Sequence, residues 1–210
     1  MKDIMLVFSF LVCSVLINAQ TVTAGRLKNG DLLFQNLDCG DMCDAIEAVT
    51  TGWHNRQFSH VGIVEKINDT IYVWESMGPG VRKVLLAPFR KRSGYKLAIG
   101  RLKAPYQKLI PAALRYIHRN EGVGYDDAFL YNNGKYYCSE LIYDAFKYAH
   151  NGKPIFKLYP MTFKQPHSPV YFPVWVEYYR KLNMAIPEGE PGCNPGGLSR
   201  SDKIKIIEEF

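Results

Sequence analysis

Apolar residues cluster in short runs in the first half of the sequence, a pattern that predicts β-strands bounded by turn-forming residues. Asn68 and Asp69 tolerate positive φ angles and separate two of these runs, so we predict a hairpin there. With a two-residue turn, Gly62 lies opposite Glu75, and His60 points to the same face as Gly62. The predicted strands cover residues 32–34, 58–67, 71–75 and about 96–102.

Apolar positions three or four residues apart predict four helices, one of which begins at or just after Cys138. The apolar face of that helix comprises Leu141, Ile142, Ala145, Phe146 and Ala149. The other three helices are predicted over residues 42–50, 108–119 and 175–182. In the first of them the apolar face comprises Met42, Ala45, Ile46 and Val49. A helix, then mainly strands, then a helix that opens with a cysteine together indicate an α+β domain with an antiparallel sheet.

The first 19 residues have the pattern of a secretory signal peptide. Lys2 precedes an almost wholly apolar run over residues 4–17, and Ala19 supplies a small residue for cleavage. A membrane anchor is the alternative, but a spanning helix needs about 20 apolar residues and this run is shorter. We therefore expect export to the periplasm or secretion, with residues 1–19 removed and residues 20–210 forming one domain.

Composition adds little about partners. The chain has 47% apolar residues, 22% charged residues and a formal net charge of +6, which are ordinary values for a globular protein. A positive excess favours anionic surroundings such as cell-wall polymers or lipid surfaces, although solubility explains it equally well. Residues 90–92 form the only dense basic run, and no nucleic-acid motif accompanies it. Nucleic acid is therefore not an expected partner, and membrane contact stays open.

Four cysteines follow the signal peptide: Cys39, Cys43, Cys138 and Cys193. An exported protein can hold disulfides. If Cys138 must stay free, Cys39 and Cys43 are the favoured pair, since they are close neighbours in a turn rich in glycine and aspartate. A zinc site is the competing interpretation of that turn, but no second pair of cysteine or histidine ligands stands nearby. We expect neither a metal nor another cofactor.

Cys138 is the candidate nucleophile. The N-terminal end of a helix carries about half a positive charge and unpaired N–H groups, which favour a thiolate and can stabilise an oxyanion. On position alone, a buried structural cysteine is the slightly favoured interpretation, because free cysteine is among the most buried residue types. A thiol nucleophile also needs a base, and the remaining evidence concerns that base.

His60 is the candidate base, because it is the one histidine at the start of an apolar strand. A core histidine with satisfied hydrogen bonds is the alternative. The predicted hairpin makes Glu75 its diagonal neighbour, with Cβ atoms about 7–8 Å apart or less. A carboxylate in that place can hold the imidazole in one tautomer, which is the third role of a nucleophile–base–orienter set. A three-residue turn would instead put Glu75 on the opposite face.

The sequence resembles the circularly permuted NlpC-like papain-fold amidases of the YaeF/YiiX type. The order histidine, glutamate, cysteine is characteristic, since unpermuted papain-like enzymes place the cysteine first. The resemblance implies a permuted papain-like fold in which an antiparallel sheet packs on helices and the nucleophile lies at a helix N-terminus. It also implies Cys138 as nucleophile, His60 as base and Glu75 as orienter. The matching segments are residues 30–35, 59–64, 73–75, 124–126, 136–142 and 186–195.

Two classes of activity fit these residues. The first is an exported cysteine hydrolase, an amidase or peptidase-like enzyme that cleaves an amide through a thioester on Cys138. The second is a lipid-linked acyltransferase or esterase that uses the same cysteine and histidine. A groove lined with apolar residues favours the second class, whereas polar groups that grip a peptide favour the first. Expected substrates are small peptides, cell-wall peptides or acyl amides, and the substrate-binding residues are left open. A binding module with a decayed site is disfavoured, because all three candidate residues are present.

Overall fold

The computed structural model describes residues 25–209, apart from the side chain of Glu208. The predicted signal peptide lies outside the described residues. Six antiparallel strands form the main sheet in the order β4-β3-β2-β1-β5-β8. A second sheet pairs two short strands, β6 and β7. The strands are β1 (Leu32–Gln35), β2 (His60–Ile67), β3 (Thr70–Met77), β4 (Gly80–Leu85), β5 (Ala98–Leu102), β6 (Tyr159–Pro160), β7 (Pro191–Gly192) and β8 (Ile204–Glu209).

The predicted hairpin between β2 and β3 has the predicted register. Ile67 lies opposite Thr70, and the pairing continues without a shift to Ile63 opposite Trp74. Asn68 and Asp69 both have positive φ, at 45° and 63°, as a two-residue turn matched to the twist of the strands requires. The turn length therefore sets which side chains of β3 share a face with those of β2.

Seven helices lie among the described residues, and the four predicted from apolar spacing are present within two residues at either end. They are α1 (Asp41–Val49), α2 (Leu86–Lys91), α3 (Ala104–Gln107), α4 (Ile110–Arg119), α5 (Cys138–Ala149), α6 (Pro173–Lys181) and α7 (Pro195–Ser199). Within residues 25–209, no helix has the length and apolar character needed to span a membrane. The fold is thus the expected mixture of α-helices and one large antiparallel sheet.

Both faces of the sheet are covered, because side chains of a strand alternate between them. In β1, Leu32 and Phe34 pack with α4 and α5 in the largest core cluster. Leu33 points the other way and packs with Val64, Val73 and Phe89 in a second cluster. Because both faces of β1 are buried, its sequence is a nearly continuous apolar run.

Several elements differ from the sequence predictions, and among them the helices α2, α3 and α7 and the short strands β6 and β7 were not predicted. The strands β4 and β8 were not predicted, because β4 mixes basic and apolar residues and β8 alternates only briefly at the chain end. The apolar face predicted for α1 is only partly buried: Ala45 is in the core, but Met42, Ile46 and Val49 are half-buried. Ile46 and Val49 remain accessible because they line a cavity, which is described below.

Candidate active site

Cys138 is the first residue of α5, and its thiol is free. Tyr137 precedes it in an extended conformation, so the chain enters the helix directly at the cysteine. The backbone N–H groups of the first helical turn have no partner within the helix. Cys138 is 7% exposed, and this remaining exposure opens into the cavity. The thiol is therefore placed where it can meet a ligand beside unpaired N–H donors.

His60 joins the thiol to a buried carboxylate. Nε2 of His60 lies 2.8 Å from Oε2 of Glu75, and both side chains are almost completely buried. Cys138 is the other side chain that acts on the imidazole, and it helps to raise the pKa of His60. Because Glu75 occupies Nε2, Nδ1 is the ring nitrogen left to exchange a proton with the thiol. The structure thus brings together the three residues that the sequence singled out.

Electrostatics in this cluster favour charged forms. Burial alone lowers the pKa of His60, but hydrogen bonds to Cys138 and Glu75 and their negative charges raise that pKa to about 9. Burial likewise tends to raise the pKa of Glu75, but hydrogen bonds and charge from His60 and Arg92 lower it to about 2. At neutral pH the cluster therefore holds an anionic carboxylate against a histidine that keeps a proton.

Two arginines that the sequence did not identify also bind Glu75. Arg92 donates from both terminal nitrogens, at 3.1 Å to Oε1 and 2.6 Å to Oε2. Arg82, on β4, donates from Nε to Oε1 at 2.9 Å. Arg92 and His60 thus share one carboxylate oxygen. Arg92 belongs to the basic run at residues 90–92, which was the available signal, although nothing in the sequence connected that run to Glu75.

Buried side chains fix the first turn of α5 from behind. Oε1 of Glu140 accepts a hydrogen bond from the Asn132 N–H at 2.9 Å, and the carboxyl also bonds the backbone of Tyr137. Burial is the main cause that raises the pKa of Glu140 to about 8. Ser139 donates its hydroxyl to the carbonyl of Cys193 at 2.9 Å. These contacts hold the start of the helix, and Ser139 and Cys193 also line the cavity beside Cys138.

A cavity of about 780 Å³ lies beside Cys138. Its walls come from α1, the start of α5, α6, α7 and the β6–β7 sheet. The loop after Gly124 contributes Phe129, and Asp126 builds that loop by accepting hydrogen bonds from the Ala128 and Leu130 N–H groups. The volume falls within the range of about 300–1,000 Å³ typical of small-molecule sites.

The other cysteines divide into a disulfide and a buried thiol. Cys39 and Cys43 are joined by a disulfide at the start of α1. Cys193 is free and lines the cavity, and burial raises the pKa of its thiol well above the usual range. A thiol in that state is a poor nucleophile. Among residues 25–209, no group of three or more histidine, cysteine and acidic side chains is arranged to hold a metal ion.

The comparisons with known proteins agree on one family. A family model described as "Permuted papain-like amidase enzyme, YaeF/YiiX, C92 family" matches residues 26–208. The uncharacterized protein YiiX of Escherichia coli strain K12 is 27% identical over 158 residues, which are 71% of this chain and 69% of that protein. A crystal structure described as the metalloprotein YiiX of Escherichia coli O157:H7 has a TM-score of 0.70 at 20% identity. The matched region covers 87% of this chain and 97% of that one.

A cysteine at a helix start that interacts with a histidine on an antiparallel sheet is the arrangement of a papain-like cysteine enzyme. The class is therefore a papain-like amidase, an enzyme of the cysteine-peptidase type. The chain belongs to the permuted YaeF/YiiX family of these amidases, because the family model spans most of its length. The resemblance seen in the sequence is thereby confirmed.

Proposed function

We propose that the protein is an exported cysteine hydrolase that cleaves an amide bond through a thioester on Cys138. The observation that supports this proposal is the position of His60, which is hydrogen-bonded to Glu75 and lies close enough to Cys138 for the two side chains to interact. One imidazole in contact with a thiol and a buried carboxylate can move a proton and keep one orientation while doing so. Cys138 is then the nucleophile, His60 the base and Glu75 the orienter.

The reaction has two halves. Nδ1 of His60 holds the proton given up by the thiol, in the imidazolium form that the raised pKa of His60 favours at neutral pH, and the thiolate attacks the substrate carbonyl to form the carbon–sulfur bond. The N–H groups of the first turn of α5 stabilise the resulting oxyanion. The carbon–nitrogen bond then breaks, and His60 gives its proton to the leaving amine. In the second half, His60 takes a proton from water, the water oxygen attacks the thioester, and the acid leaves as the thiol is restored.

Export is the second part of the proposal. The apolar run over residues 4–17, with Lys2 before it and Ala19 after it, supports removal of residues 1–19 and a catalytic domain over residues 20–210. N-terminal sequencing of the protein from the periplasm or the medium tests this. We expect the mature chain to begin at or near Gln20, and an intact Met1 in the envelope fraction would contradict cleavage.

The thioester can be trapped with activated acyl donors. We expect p-nitrophenyl esters to release a burst of p-nitrophenol and to add one acyl mass to the peptide that contains Cys138. His60→Ala should slow this acylation, because the thiol then lacks its base. Cys193→Ser is the matched control, since it removes the other free thiol and should leave the acylation of Cys138 unchanged. Acylation at Cys193 alone would contradict the assignment.

A lipid-linked acyltransferase or esterase is the second candidate, and the apolar lining of the cavity favours it. The two activities differ only in what attacks the thioester. With an added long-chain alcohol or amine, an acyltransferase should divert most of the acyl group from water to that acceptor. If the release of free acid stays unchanged across a range of acceptor concentrations, the result would support the hydrolase and contradict the acyltransferase.

A further inference from the structure

The cavity beside Cys138 has mainly apolar walls. One wall belongs to the core cluster around Trp175 and Phe163, and Phe129 packs on it. The facing wall includes Ile155 and Phe156, which belong to the main core beneath α5. Further apolar residues that line it are Ile46, Val49, Met161 and Leu198. A ligand beside the nucleophile therefore meets aliphatic and aromatic surface for most of its length.

The serine, threonine and asparagine side chains of the lining each make a hydrogen bond within the protein, and the other uncharged hydroxyl groups of the lining belong to the aromatic rings of Tyr125, Tyr137 and Tyr159. Thr50 donates to the Ile46 carbonyl at 2.6 Å, and Asn194 accepts the Gly197 N–H at 2.6 Å. The remaining serine and threonine hydroxyls of the lining make internal hydrogen bonds as well; they are Ser59, Ser139, Thr162 and Ser201. The lining thus offers few free side-chain groups with which to grip a peptide backbone.

The charge of the cavity lining is net positive. Lys157, Arg200 and Lys203 line it, and Asp202 is the only acidic residue among the lining residues. Asp202 is ion-paired with Lys203 at 2.6 Å. Lys103 and Lys157 also lie close enough to act on Asp202 electrostatically. Lys157 and Arg200 are exposed, so this positive charge lies at the mouth rather than within the apolar walls.

We propose that the substrate is an anionic amphiphile: an amide whose large apolar acyl group fills the cavity and whose other part carries a carboxylate or phosphate to the cationic mouth. This inference rests on the proposed function, because it places the scissile carbonyl at Cys138 between the two parts. Carboxylates and phosphates share the chemistry that lysine and arginine recognise. The hydrocarbon part supplies affinity, and the anionic group supplies orientation.

Binding can be measured separately from catalysis on a Cys138→Ala variant. The probes are N-acylglycines, titrated calorimetrically below their critical micelle concentrations. We expect the dissociation constant to fall about fourfold for each added methylene between N-hexanoylglycine and N-dodecanoylglycine, until the cavity is full. N-acetylglycine should not bind measurably. An affinity that does not depend on chain length would overturn the proposal.

The anionic group is tested with a neutral partner ligand. N-dodecanoylglycinamide has the same chain without the carboxylate, and we expect it to bind about fivefold more weakly. Lys157→Gln/Arg200→Gln should remove this difference. The matched control Lys135→Gln/Lys181→Gln changes the net charge equally at exposed lysines outside the lining, and it should preserve the difference. If the protein that keeps Lys157 and Arg200 binds the two ligands equally well, the proposed anionic group of the substrate is wrong.

The apolar walls are tested at α1. Ile46→Asn places an amide in the half-buried lining and should weaken N-dodecanoylglycine about tenfold or more. Val176→Asn is the control, because Val176 is 49% exposed on α6 and does not line the cavity. Should Ile46→Asn fail to fold, the chain-length series on the unaltered walls still decides the question.

The outcomes separate this inference from the proposed function. N-acylglycines could bind with the expected dependence on chain length while N-dodecanoylglycine never acylates Cys138 in the wild-type protein. That outcome would contradict the proposed enzyme activity and support the proposed binding site. Short uncharged acyl donors could instead acylate Cys138 as fast as long anionic ones. That outcome would support the proposed enzyme activity and contradict the proposed substrate class.

Discussion

The two sides of the Cys138 thiol differ in almost every property. On one side, His60 and Glu75 are buried and joined to Arg82 and Arg92 by short polar contacts. On the other side lies a cavity with apolar walls and few free polar side chains. The first side holds the buried charged groups that contact one another beside the thiol, whereas the second side is mainly apolar wall with cationic side chains at its mouth. We therefore expect that catalysis and substrate binding can be altered separately.

The largest expected effect comes from removing the Cys138 thiol, which lies between the charged cluster and the cavity. Cys138→Ala should lower turnover of an acylating substrate by about 10⁴-fold or more, because a covalent route requires the nucleophile. Ligand binding in the cavity should persist, and steady-state kinetics together with calorimetry measure both. Cys193→Ser should keep turnover within about twofold of wild type, since burial makes that thiol unreactive. Full turnover by the Cys138→Ala variant would contradict the assignment of catalysis to this thiol.

Glu75→Gln should have the next largest effect. The amide keeps the shape of the side chain but removes the negative charge that holds the imidazolium, and a loss in kcat of about 10²–10⁴-fold is expected. KM for an acyl donor should change little, because Glu75 is fully buried and does not line the cavity. A rise in KM with unchanged kcat would show that the carboxylate acts on substrate binding instead.

Arg92→Gln should lower kcat about tenfold, since Arg92 holds both oxygens of Glu75 and shares Oε2 with His60. Lysine cannot reproduce this paired contact, so Arg92→Lys should restore only part of the rate. Arg82→Gln removes a single hydrogen bond to the same carboxylate and serves as the weaker comparison. Equal effects of the two glutamine variants would show that net charge near Glu75 matters and the paired contact does not.

The smallest effect concerns pH. The folded-state pKa of His60 is raised from 6.5 to about 9, so its stabilising contribution is present below about pH 6.5 and is lost as pH rises through about 9. We expect kcat/KM to fall over the same interval, because His60 then lacks the proton for the leaving amine. Glu75→Gln should move this descending limb to lower pH.

At acid pH, the group that changes charge is Glu75, and its contribution to stability is lost as the pH falls. The pKa of Glu75 is lowered from 4.5 to about 2, so its contribution is present above about pH 4.5 and is lost as pH falls towards 2. Thermal unfolding across pH, compared between wild type and Glu75→Gln, measures this loss. The difference in melting temperature between the two proteins should shrink below pH 4.5, and a constant difference would contradict it.

Local sequence rules predicted one side of the thiol better than the other. Asn68 and Asp69 fix the β2–β3 register, and the register places His60 and Glu75 in hydrogen-bonding reach. The cysteine at the start of α5 followed from helical spacing alone. Arg82 and Arg92 were missed because β4 and α2 have weak patterns, and their contacts with Glu75 depend on how those elements pack.

The cavity could not be predicted, because it forms from several weakly patterned pieces. Its walls include the two-residue strands of the β6–β7 sheet and loops from the C-terminal third, where proline and tyrosine obscure periodicity. Half-buried Ile46 in α1 illustrates the difficulty, since spacing marks a residue as apolar and does not tell a core position from a lining position.

The hairpin turn constrains how this protein can vary among its relatives. Asn68 and Asp69 can be exchanged for other residues that accept positive φ, such as glycine, with little consequence for the site. Adding or deleting one residue there moves β3 by one position and turns Glu75 to the opposite face of the sheet. We therefore expect point substitutions at the turn to be tolerated and length changes to abolish activity, although the turn itself contacts none of the proposed catalytic groups.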